Sequence, residues 1–211
     1  MDVARLLLCN LAYVEDQSFE SVHFETLKFP DLELVQCRFV KCSFKGMRLA
    51  ELRTKGSEFE ECDFTGTGLG SSKHRSSGFL NCKFVNADFF GAAFEKCRMI
   101  GSVFDGANLS AISIHGGDWS FVNLRYQELN GLDLRGVRFK GADLSGASLK
   151  KCDLRDALLD QASLSQVNLR NSDLRGASVN EVDLRAADLK GARFDIAQAI
   201  HFAQCFGIIV E

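Results

Sequence analysis

The sequence has one proline, Pro30, one tryptophan, Trp119, and two tyrosines in 211 residues. A single proline with 18 glycines excludes proline-rich linkers and collagen-like chains. Two tyrosines beside 18 phenylalanines mean that the aromatic residues fill space, because recognition surfaces favour rings with a polar tip. Basic charge is not in excess: 25 Lys and Arg stand against 28 Asp and Glu, a formal net charge of −3. Direct nucleic-acid binding is therefore not expected. Long hydrophobic runs are lacking as well. The apolar stretch Leu6–Leu8 is short, with Asp2 before it and Asn10 after it, so neither a signal peptide nor a membrane span is expected. No glycine-rich phosphate loop, nucleophile elbow or paired metal motif occurs. His23, His74, His115 and His201 fall too far apart to cooperate. No catalysis, cofactor or metal is expected.

What is present is a repeat. Of the 36 positions taken every fifth residue from Phe19 to Phe194, 30 are Phe or Leu. Met99, Ile114, Trp119 and Val179 are also apolar, and only Thr54 and His74 break the pattern. Helices repeat every 3.6 residues and strands every 2, so a period of five fits neither. The residue two before each large one is usually small. Ala87, Ala92, Ala142 and Ala157 are examples, and Cys37, Cys42, Cys62, Cys82, Cys97 and Cys152 occupy the same slot. One large and one small inward residue in every five, with polar residues between, describe a flat-sided coil.

Near-ideal copies are GADLSGASL (141–149) and RNSDLRGASV (170–179), and on these residues the chain resembles the pentapeptide repeat family. The resemblance covers roughly 17–195. It implies an all-β fold, a right-handed quadrilateral parallel β-helix with four pentapeptides per coil. Residues 20 apart should then stack about 4.8 Å apart. Phe24, Phe44, Phe64, Phe84 and Phe104 would form one column and Phe19, Phe39, Phe59 and Phe79 another. About nine coils would make a rod of about 43 Å. Cysteines stacked at the coil spacing sit wider apart than a disulfide prefers. They are expected to be reduced apolar fillers, which points to a cytoplasmic protein.

Solenoid ends need covers. Residues 1–16 are expected to cap the N-terminus, with 17–195 as the repeat domain and 196–211 as a C-terminal helix and strand. Asp195 suits a helix N-cap, the helix running to Phe206, and Gly207 suits a stop. The apolar residues Ile200, Phe202, Ala203, Phe206, Ile208, Ile209 and Val210 exceed what one cap needs, which favours a twofold homodimer over a monomeric cap. Thr54 and His74 lie 20 residues apart in polar surroundings. Either they hydrogen-bond inside an unbroken coil, or Ser71–Gly78 leaves it as a recognition loop carrying Lys73, His74 and Arg75.

Charge also stacks: Asp133, Asp153 and Asp173 fall in one column, Arg135, Arg155 and Arg175 in the next. Three segments add a narrower resemblance, to the Qnr/MfpA-type members of the family. They are the ending GARFDIAQAIHFAQCFGIIVE (191–211), SSKHRSSGFLNCKF (71–84) and DWSFVNL (118–124). That resemblance implies a dimeric DNA mimic that binds DNA gyrase or topoisomerase IV, modulates its activity and protects it from fluoroquinolones. The implied contacts are Asp133, Asp143, Asp153, Asp173, Asp183 and Asp188. Mimicry requires the acids to be segregated onto one side, since the net charge is only −3. The alternative is a scaffold solenoid with an unrelated protein partner.

Overall fold

The computed structural model describes residues 12–25 and 31–209. The expected N-terminal cover over Asp2–Cys9 lies outside the described residues, as does Val210. The chain divides into two compact units, Met1–Gly117 and Asp118–Glu211.

Both units are parallel β-solenoids with a 20-residue coil, and the register shows this directly. Tyr13 pairs with Glu33 and Arg38 with Glu58 in the first unit, and Asp133 bridges Asp153 and Asn168 bridges Asp188 in the second, all parallel. The first unit carries three-residue strands in two sheets. One sheet is ordered β1 (Tyr13–Glu15), β3 (Glu33–Val35), β5 (Arg53–Lys55), β7 (Lys73–Arg75), β9 (Ala93–Glu95), β10 (Ser113–His115). The other is β2 (Ser18–Glu20), β4 (Arg38–Val40), β6 (Glu58–Glu60), β8 (Gly78–Leu80). Since β1 already pairs with β3, the first coil reaches back to Tyr13, inside the segment expected as a cap.

The second unit has isolated bridges in place of strands among the described residues. Its corners close with hydrogen bonds within one coil, such as Val137 N–H to Leu134 O at 3.2 Å and Ala147 N–H to Leu144 O at 3.0 Å. These turns leave too little extended chain between them for a strand. At two corners of the first unit that lack that bond, a serine of the next coil compensates. Ser57 Oγ accepts from Cys37 N–H at 3.1 Å and donates to Leu34 O at 3.0 Å. Ser102 does the same for Cys82 and Phe79. Most coil corners leave a residue at positive φ, which is costly for residues with a Cβ. Gly146, at φ +69°, also lies beneath the Tyr126 ring, 2.4 Å from where a Cβ would sit.

Inside the first unit the two phenylalanine columns are present. Rings in the Phe24–Phe104 column stack at 4.7–5.0 Å, and those from Phe19 to Phe79 at 4.8–5.0 Å. Neighbouring columns meet edge to face, as Phe59 and Phe64 do at 5.6 Å. Burying each ring contributes about 1.5–3 kcal/mol, and a well-oriented ring pair about 0.5–1.5 kcal/mol more. Leucines take over the large inward positions in the second unit, from Leu124 to Leu184, and those leucines are buried.

The cysteines of the small slot do more than fill space. Cys37 Sγ donates to Val14 O of the preceding coil at 3.4 Å, Cys62 to Phe39 O at 3.5 Å and Cys97 to His74 O at 3.3 Å. Thr67 and Ser172 use their hydroxyls the same way. Each small polar group thus satisfies a carbonyl that would otherwise lack a side-chain donor, and burial holds the Cys97 and Cys152 thiols up at about 11.

One expectation needs correction. Ser71–Gly78 is not a protruding loop: Lys73–Arg75 is strand β7, His74 is buried and Gly78 opens β8. The reason is that His74 finds its partners inside the coil. Its Nδ1 lies 2.9 Å from Thr54 Oγ1 and its Nε2 2.9 Å from Ser72 Oγ, while Thr54 Oγ1 donates to Ser77 Oγ at 2.8 Å. The ring also stacks on Phe94 at 5.0 Å. At the other end, helix α1 (Ile196–Cys205) forms as expected, with Asp195 and Gln198 exchanging capping-box bonds. Ile208 and Ile209 pair with no strand among the described residues.

Candidate partner-binding surface

Six aspartates are the sequence-derived candidates for an anionic surface. The tripeptide Asp-Leu-Arg recurs at Asp133–Arg135, Asp153–Arg155, Asp173–Arg175 and Asp183–Arg185, with the leucine inward and both charged residues outward. In a pleated segment residues i and i+2 share a face, so each arginine folds back on its own aspartate. Arg135 Nε donates to Asp133 Oδ1 at 2.8 Å and Nη2 to Oδ2 at 2.6 Å. Arg155 and Arg175 repeat the pair at 2.9 and 2.6 Å, and Arg185 holds Asp183 at 2.7 Å. Such two-pronged pairs are the strong form of a charge-assisted hydrogen bond. The Arg175 and Arg185 guanidinium groups hold the Asp173 and Asp183 carboxyls down at about 2, and Arg155 lowers Asp153 likewise.

The remaining two candidates are also paired. Asp143 accepts from Arg125 Nη1 at 3.1 Å, and Asp188 lies 3.5 Å from Arg170. Partial burial raises the Asp143 carboxyl, but bonds from Ser145 and Arg125 outweigh it and the net direction is down. All six carboxylates are matched by an arginine. The self-repelling aspartate ladder is thereby converted into a column of compensated dipoles. Three carboxylates of the second unit without an ion pair among the described residues are held by neutral side-chain donors, among them Glu128, which accepts from Asn130 Nδ2 at 2.7 Å. Asp160 accepts from Asn180 Nδ2 at 2.6 Å and Glu181 from Gln161 at 3.1 Å, both neutral donors. Composition alone does not show which acids remain uncompensated.

The C-terminal apolar set divides into two groups. Phe202 packs edge to face on Phe194 of the last repeat at 4.7 Å, and buried Gln198 donates to Leu174 O at 2.6 Å and Ala177 O at 2.8 Å. Phe202 and the half-buried Ala203 therefore serve docking of the helix on its own coil. Ile200, Phe206, Ile208 and Ile209 face outward, the last 85 % exposed. Ile196, 82 % exposed, belongs with them and was missed from sequence, although its i, i+4 spacing from Ile200 carried the signal. No helix among the described residues is long and apolar enough to cross a membrane.

Fold and surface together define a β-solenoid repeat protein that presents outward-facing side chains on flat faces, a binding architecture. Residues 71–149 match the pentapeptide repeat region family and residues 152–191 match eight copies of the pentapeptide repeat, together more than half of the chain. The chain belongs to the pentapeptide repeat family. No curated protein sequence matches it. Among solved structures, a trypsin-treated form of QnrB1, a plasmid-mediated fluoroquinolone resistance protein, is similar at TM-score 0.82 and 23% identity, covering 94% of this chain and 100% of that one. Full-length QnrB1 gives 0.61 and 21%, with 93% and 100% covered. HetL of the cyanobacterium Nostoc sp. strain PCC 7120, involved in regulating heterocyst differentiation, gives 0.50 and 23%, with 91% and 96% covered.

Proposed function

We propose that this protein is a homodimeric, cytoplasmic pentapeptide repeat protein that binds DNA gyrase or topoisomerase IV, modulates it and protects it from fluoroquinolones. One coincidence carries the reading: a solenoid similar in fold to QnrB1 over that protein's whole length ends in a helix with an exposed apolar face. The ending 191–211 is also the segment whose sequence resembles the Qnr/MfpA-type dimer module. Ile196, Ile200, Phe206, Ile208 and Ile209 would meet their symmetry mates across the twofold axis. Because the six candidate aspartates are arginine-paired, the acidic contacts to DNA-binding residues of the enzyme pass to Asp160 and Glu181. The paired columns contribute shape rather than net charge.

Supercoiling and fluoroquinolone-stabilised cleavage assays with purified gyrase test this. Phe206→Glu places a charge in the apolar interface and is expected to yield folded monomer by sedimentation, with loss of the effect on gyrase. No effect of folded wild-type dimer on either assay would leave the scaffold reading, an unrelated protein partner, in its place.

A further inference from the structure

The first unit carries a feature that the topoisomerase reading does not use. Strands β5 and β7 lie side by side in register, Arg53 against Lys73 and Lys55 against Arg75. All four side chains are exposed on one flat face. Like charges placed directly opposite each other across a strand pair destabilise a sheet. One of the four is compensated: Arg75 reaches Glu95 at 2.7 Å. Arg53, Lys55 and Lys73 form no ion pair among the described residues, although elsewhere on the same unit Arg38, Lys45 and Arg98 pair with Glu60, Asp63 and Glu58. The interior beneath the same two strands holds Thr54 and His74, the two polar interruptions of the large-residue columns.

We propose that Arg53, Lys55, Lys73 and Arg75 form a docking face for a short acidic protein segment. The size of the face decides the class of partner. In the same columns Glu33 stands beside Arg53 on one side and Glu95 beside Arg75 on the other. Positive charge is therefore confined to two coils, about 5 Å apart. A DNA duplex carries one charge per about 1.7 Å of axis, and its next phosphates would fall against these glutamates. An extended acidic peptide repeats its same-face side chains every two residues, about 6.6 Å, which is also the separation of Arg53 from Lys55 and of Lys73 from Arg75. A few carboxylates at that spacing saturate the face without reaching its acidic borders.

The test is a fluorescence anisotropy titration of the full chain with a labelled oligoglutamate peptide and, separately, with a short DNA duplex. At low ionic strength the peptide is expected to bind, and Lys55→Glu with Lys73→Glu to weaken it at least about tenfold, as does added salt. The same double variant is expected to melt at an unchanged or higher temperature, because it relieves like-charge pairs. A matched control, Lys150→Glu with Lys190→Glu on the second unit, is expected to leave peptide affinity unchanged. The proposal is overturned if the wild type does not bind the peptide, if the control weakens binding as much as the test variant, or if the duplex binds more tightly through these same four residues. Because gyrase is absent from this experiment, its outcome is independent of the topoisomerase reading.

Discussion

The two units place the same 20-residue coil on different supports. The first is filled by stacked phenylalanine rings, and its ion pairs tie one coil to another, as in Arg38–Glu60 and Arg75–Glu95. The second is filled by leucines, and four of its pairs close within a single Asp-Leu-Arg repeat. Adhesion between coils thus combines backbone bonds with ring stacking and bridging side chains in one unit, and with close-packed leucine in the other. Surface charge follows suit. Intrarepeat pairing leaves the aspartate–arginine columns of the second unit compensated, whereas the first keeps a basic face on which only Arg75 has an acidic partner among the described residues.

The largest test of this contrast is a core truncation in each unit. Phe64, stacked on Phe44 at 4.7 Å and on Phe84 at 5.0 Å, loses two ring partners and its burial on Phe64→Ala. A cost of about 4 kcal/mol is expected, against about 3 kcal/mol for Leu154→Ala, measured by urea unfolding. Equal costs would show that the stacking contributes nothing beyond area.

Next comes pH. Burial drives the His74 imidazole down to about 3, far below its ordinary value. The unfolded chain takes up the proton first, so the histidine's contribution is intact above about pH 6.5 and declines as pH falls from there towards 3. The slope is expected to reach at most about 1.4 kcal/mol per pH unit. The second unit has no buried histidine among the described residues, and its depressed aspartates lose stability only below about pH 4. Unfolding midpoints between pH 7 and 4 should therefore fall for the wild type and stay flatter for Thr54→Leu with His74→Phe, which restores an apolar column. A variant as pH-sensitive as the wild type would remove His74 as the cause.

The smallest effect is expected at the surface. Asp173→Asn removes one rung of the compensated column, and exposed ion pairs contribute little. A drop in melting midpoint of no more than about 3 °C is expected by calorimetry, with high salt erasing most of it. A larger drop would mean that the rungs act as a network.

Much of this was legible beforehand. The five-residue period with its small slot announced the solenoid, and the 20-residue recurrence of Phe24 to Phe104 announced the stacking, because in a solenoid the neighbour in space lies at a constant offset in sequence. Asp195 and Gly207 marked the terminal helix for equally local reasons. Thr54 and His74 were ambiguous because a polar residue in an apolar column either turns inward to partners or expels its segment, and only the positions of Ser72 and Ser77 decide between the two. The aspartate and arginine columns were legible as neighbours, but which arginine each aspartate takes was not, since that choice rests on side-chain geometry.

The sequence by itself therefore determined the coil, its period, the identity of the inward columns and the place where the solenoid stops, all of which follow from local spacing. Only the tertiary structure decided which charges cancel, that β5 and β7 bring four cations together, and which side of helix α1 faces its own coil and which faces outward. Those outcomes depend on side chains from separate coils meeting across about 5 Å, a distance that sequence offsets place in register but do not orient.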